Sequence, residues 1–130
     1  MSSPGSQPAE KNDPQSFPVL DHQFLSFWKE AAGEDLGAFL EELKSLFKVE
    51  YQERREELIA ALESPEDEVL SALVHRICGS IGNVALGRAA AYCRSVELGL
   101  RAGTFTEYDS LVSRMDAYVS EGLEELETIS

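Results

Sequence analysis

Residues 64–103 read SPEDEVLSALVHRICGSIGNVALGRAAAYCRSVELGLRAG, and this stretch decides the fold. Ser64-Pro65-Glu66-Asp67 has the order of a helix start: a capping hydroxyl, a proline in the first turn, then acids that suit the positive end of the helix dipole. Val69, Leu70, Leu73, Val74, Ile77 and Ile81 follow at spacings that keep them on one helical face. Gly82-Asn83 interrupts the pattern. A further helix is predicted from about Leu86 to Arg101, carrying Ala89, Ala90, Cys93, Val96 and Leu100, with Gly103 to close it. So short a connection makes the two helices antiparallel neighbours.

The flanking sequence extends this pattern. Upstream, a long helix is predicted from about Glu34 to Glu63, roughly 45 Å at 1.5 Å per residue, with Leu36, Phe39, Leu40, Leu43, Phe47, Leu58 and Leu62 on one side. Before it, Asp21 is placed to cap a helix holding Phe24, Leu25, Phe27, Trp28 and Ala31, and Gly33 to end it. Downstream, Thr104 to Glu107 reads as a capping box for a last helix with Tyr108, Leu111, Met115, Tyr118, Val119 and Leu123. No run alternates with the period of a strand. The expected class is all-α: an antiparallel up-and-down four-helix bundle with an additional N-terminal covering helix. Pro4, Pro8, Pro14 and Pro18 crowd the first 18 residues among small polar ones. Residues 1–17 are therefore expected to be a disordered tail, and 18–130 the helical domain.

The chain has 130 residues, with 24 acids against 11 bases for a net charge of −13. That excess repels phosphate backbones and anionic lipid surfaces, so neither nucleic acid nor membrane is an expected partner. With no membrane-length apolar run and no secretory leader pattern, the expected location is cytoplasmic. Cys78 and Cys93 are too few for a disulfide framework. The charge is uneven, however. From Leu70 to Ala102 four arginines (Arg76, Arg88, Arg94, Arg101) face a single acid, Glu97, a local net of +3 that leaves −16 for the remainder.

If the hairpin turns near residue 86, position 75 faces 97, 78 faces 94 and 79 faces 93. His75 then lies opposite Glu97. A carboxylate that accepts the Nδ1 proton leaves Nε2 with its lone pair, an oriented nucleophile. The other reading of Glu97 is a solvated acid, or an intrahelical pair with Arg101 four residues on. Gly79 and Gly82 each cost a helix about 1 kcal/mol relative to alanine. Gly79 lies one turn beyond His75 and bares the surface beside it, although small residues also serve close helix packing.

The run His75-Arg76-Ile77-Cys78-Gly79-Ser80-Ile81-Gly82-Asn83-Val84, followed by Cys93-Arg94-Ser95-Val96-Glu97, resembles the signature of histidine-containing phosphotransfer (HPt) domains. The resemblance covers nearly the whole chain from about residue 19, including an aromatic in the second helix, here Phe47. It implies that His75 is the phosphoacceptor, Glu97 the partner of its imidazole and Gly79 the clearance for a docking receiver domain. Ser80 and Asn83 match positions for helix packing and turn closure. Two positions depart from the family pattern: Cys78 replaces the usual lysine and Ala85 the usual second glycine. Arg94 or Arg76 is expected to supply the cation that Cys78 removes.

The implied function is a phosphorelay intermediate. It takes a phosphoryl group from a receiver-domain aspartate, or from a histidine kinase, and passes it to a response regulator. The implied partners are receiver domains and a hybrid histidine kinase, met by a monomer. No glycine-rich phosphate loop or carboxylate cluster is evident. The chain is therefore expected to be a phosphocarrier rather than an enzyme, binding no cofactor itself, with Mg²⁺ in the partner receiver. In the family the first helix borders the docking surface, so Phe24 and Trp28 are expected to form an apolar patch there, with Cys78 and Ser80 beside it. His22 is assigned no role. The alternatives are a degenerate module that binds a kinase or receiver without phosphotransfer, a plain helical scaffold, and a metal site from His75, Cys78, Cys93 and Glu97.

Overall fold

The computed structural model describes residues 13–129. Five α-helices follow in order: α1 His22–Ala32, α2 Leu36–Leu62, α3 Asp67–Gly82, α4 Gly87–Ala102 and α5 Leu111–Glu127. Single 3-10 turns occur at Pro14–Ser16, Gly33–Asp35 and Tyr108–Ser110, and no strand occurs among the described residues. The fold is all-helical. None of these helices is long and apolar enough to cross a membrane.

Capping residues account for three helix ends. The Asp21 carboxylate accepts from the backbone N–H groups of Gln23 and Phe24 and so caps α1. Gly33 at φ 55° ends α1, and Gly103 at φ 72° ends α4. Two starts differ from expectation. Ser64 and Pro65 precede α3, whose first residue is Asp67; Glu66, extended at φ −126°, holds the cap position without a side-chain bond. Thr104 and Glu107 form no capping box, because the backbone N–H groups of Thr104 and Phe105 both donate to the Gly99 carbonyl and complete the end of α4. Glu107 pairs instead with Arg114 at 2.8 Å, and α5 starts at Leu111.

Packing links the long helices in a closed circuit: α2 against α3, α3 against α4, α4 against α5, and α5 back against α2, with α1 resting on α2. Leu40, Leu58, Leu70, Ile77, Ile81, Leu86, Leu111, Met115 and Leu126 fill the space between them. Each such side chain contributes about 1.5–3 kcal/mol on burial. Two polar links tie α2 to α5. Lys44, buried, reaches Glu127 at 2.7 Å, and Asp116 accepts from both Tyr51 and Arg55.

The turn between α3 and α4 fixes α1. Ala85 is buried at φ 63°, and its carbonyl accepts from the Asp21 N–H at 2.8 Å, while Arg88 N–H donates to the Val19 carbonyl at 3.4 Å. The last residues of the expected tail, 13–17, have partners on the helical domain. Arg88 Nε donates to the Phe17 carbonyl and Gln15 to the Tyr118 hydroxyl, which gives this stretch partners that its composition alone does not advertise. The rest of that expected tail, residues 1–12, lies outside the described residues.

Candidate functional site

His75 projects from α3 with 67% of its side chain exposed, and Glu97 on α4 is almost fully covered at 9%. His75 Nδ1 lies 3.0 Å from Glu97 Oε2. An ionised carboxylate in this place accepts from a protonated Nδ1, and that tautomer is the one that leaves Nε2 its lone pair. The two readings offered for Glu97 hold together: the same Oε2 also accepts from Arg101 Nη2 at 2.6 Å. A covered carboxylate needs such partners, because its lost hydration must be replaced.

The two expected cations separate. Arg76 turns toward α2 and pairs with Glu57 at 3.4 Å. Arg94 is exposed and makes no ion pair or hydrogen bond among the described residues. It is close enough to Cys78 for its charge to oppose the rise that burial imposes on that thiol. Arg94 also lines a groove of about 610 Å³ with Phe24, Gly82, Asn83 and Ala90, so one of the expected docking residues and the unpaired cation share one depression.

An added Cβ at Gly79 or Gly82 would meet nothing within 4 Å. Close packing inside the chain therefore does not account for either glycine. Phe24 is 41% exposed, as a docking residue requires, but Trp28 is buried at 8%. The expectation for Trp28 is corrected: with Leu25 it forms the covered stripe of α1, its ring held between Phe24 at 5.8 Å and Phe39 at 5.5 Å. Phe27, 64% exposed, is the second outward ring. Cys78 is half-buried with its thiol 3.7 Å from the Ala90 carbonyl, and Ser80 is half-buried. Burial pushes the enclosed Cys93 thiol far up. His75, Cys78, Cys93 and Glu97 form no ligand group among the described residues.

The family model of the Hpt domain matches residues 42–128. The chain belongs to the Hpt domain family. Hpt domains are phosphocarrier modules of two-component systems, where they meet receiver domains and kinases. Among solved structures, this Hpt domain is similar to histidine-containing phosphotransfer protein B (HptB) from Pseudomonas aeruginosa PAO1, at a TM-score of 0.68 and 22% identity over 85% of this chain and 93% of that one. That likeness concerns the fold. No curated protein sequence matches the chain. The match begins inside α2, so α1 and its rings lie outside it. In this Hpt domain two contributors escaped the sequence reading: Arg101, visible only as an ordinary i,i+4 pair with Glu97, and Phe27, which helical spacing alone did not separate from Trp28.

Proposed function

We propose that this Hpt domain is a phosphorelay intermediate with His75 as phosphoacceptor. The observation that carries the reading is the pairing of an exposed imidazole, through Nδ1, with a covered carboxylate. Nε2 attacks the phosphorus of a receiver's aspartyl phosphate; an N–P bond forms as the P–O bond to the aspartate breaks, and the carboxylate stays with the receiver. The Nδ1 proton remains shared with Glu97, which sets a negative charge beside the imidazolium that phosphorylation creates. Positioning does most of the work in such a transfer. Arg94 faces the incoming phosphoryl group as the substitute for the family lysine, with Arg76 second because Glu57 engages it. Gly79 gives the receiver clearance, and Phe24 with Phe27 gives it an apolar seat.

The same proposal takes in the finer architecture, an up-and-down four-helix bundle of α2–α5 covered by α1 within a domain of residues 18–130. It also takes in a monomeric, cytoplasmic phosphocarrier without kinase activity, with a hybrid kinase and response regulator as partners and Mg²⁺ in the receiver. The chain is to be incubated with a radiolabelled phosphorylated receiver. Label on the wild type that is acid-labile and alkali-stable, and absent from His75→Gln, is expected. Label on His75→Gln, or none on the wild type, sinks the reading. In the second case, retained receiver binding favours the docking-only module, for which Cys78 in the lysine position is the specific pointer.

A further inference from the structure

We infer that Arg101 is a positioning residue that sets the tautomer of His75 through Glu97; the inference rests on the phosphoacceptor reading above. Glu97 is covered, and its Oε2 takes two donors, His75 Nδ1 at 3.0 Å and Arg101 Nη2 at 2.6 Å. A neutral imidazole offers that carboxylate a dipole. Arg101 offers it a full charge, and it is the one permanent cation within ion-pair distance of Glu97 among the described residues. The Arg101 side chain is itself 60% exposed, so it holds the carboxylate from the solvent side while the imidazole meets it from α3.

The consequence reaches Nε2. Without Arg101 the covered carboxylate loses its countercharge and must either take a proton or turn out to water. A protonated Glu97 donates to Nδ1 instead of accepting from it, and the ring proton moves to Nε2. A Glu97 turned to water leaves Nδ1 without its acceptor, and the proton distributes between the two ring nitrogens. Either way the nucleophilic lone pair is withdrawn from a fraction of the molecules. Arg101 thus acts on the reacting phosphorus through two intervening residues, Glu97 and His75, without touching it.

A purely structural role is also open to Arg101, since a cation in the last turn of α4 complements the helix dipole. The tautomer separates the two roles. Imidazole ¹⁵N shifts are to be recorded in a His22→Gln background, which leaves His75 as the only histidine. The parent chain is expected to show protonated Nδ1 and unprotonated Nε2. Arg101→Gln is expected to lose that pattern, Arg101→Lys to restore it, and Arg101→Gln added to Glu97→Gln to change nothing further. An Nδ1-protonated pattern retained in Arg101→Gln, or a lysine that fails to restore it, overturns the inference. Uptake from a phosphorylated receiver is expected to slow about tenfold in Arg101→Gln, the range for a residue that orients a reacting group through another. If the tautomer shifts as expected but the parent chain takes up no phosphoryl group, the positioning stands and the phosphoacceptor reading falls.

Discussion

Ala85 holds a backbone conformation that costs a non-glycine residue about 1–2 kcal/mol, at φ 63° and in full burial. Its methyl group, worth about 0.8 kcal/mol when buried, offsets much of that strain. Ala85→Gly is therefore expected to leave stability within about 1 kcal/mol in urea unfolding, whereas Ala85→Val, β-branched in the left-handed region, should lose more than about 2 kcal/mol. Tyr92 presents a second residue-level test. Its hydroxyl is buried without a hydrogen-bond partner among the described residues, and burial pushes its pKa up to about 12. The unfolded phenol titrates near 10. Neutral Tyr92 thus favours the folded state fully below pH about 10, and that advantage is lost as pH rises toward 12. Tyr92→Phe, which removes a buried hydroxyl that has no partner, should exceed the wild type by about 1 kcal/mol or more at pH 7 and by a wider margin at pH 11. For the chemistry, Arg94→Ala is expected to slow phosphoryl uptake at least about tenfold, while Arg76→Ala, already engaged by Glu57, should change it little. Uptake unchanged in both variants and in their combination would remove the arginines as substitutes for lysine.

The α3–α4 hairpin was legible because two helical periods close together leave one antiparallel register, and that register alone set His75 against Glu97. What sequence could not divide was the face of α1. Phe24, Phe27 and Trp28 all fit a helix, and only the position of Phe39 on α2 decides which ring is covered. The start of α5 was hidden for a similar reason: the Gly99 carbonyl draws the N–H groups of Thr104 and Phe105 back to α4, a contact that no local motif announces. Gly79 carries the prediction at this scale. An added methyl group meets nothing in the chain and removes a helix penalty of about 1 kcal/mol. Gly79→Ala should therefore melt at a higher temperature and yet accept phosphoryl groups more slowly from a receiver, whose approach the methyl group obstructs. Thermal melts and transfer assays on the same sample check both halves, and a variant that is faster as well as more stable would contradict the clearance role.

Across the whole molecule, the net charge of −13 described the surface poorly. Acids dominate α2, α5 and the flanking segments, while the hairpin that bears His75 is locally basic. Encounter with an acidic receiver mouth should therefore weaken as salt rises, although the chain as a whole is anionic. The fold class was readable from periodicity because burial of apolar stripes dominates helix formation. The seating of residues 13–17 was not, because it depends on single bonds, one from Arg88 to the Phe17 carbonyl and one from Gln15 to the Tyr118 hydroxyl. The clasp of Asp21 and Val19 on the α3–α4 turn has a practical corollary for where the chain can be cut. The family match begins at residue 42, but Leu20, Leu25 and Trp28 are all buried. Trimming to residues 42–128 would forfeit roughly 5 kcal/mol of burial, comparable to the entire stability of a small domain, and would uncover the turn. The smallest stretch expected to express as a folded protein starts ahead of Val19, so a trimmed fragment that failed in a relay assay would report its own unfolding and not the chemistry of His75.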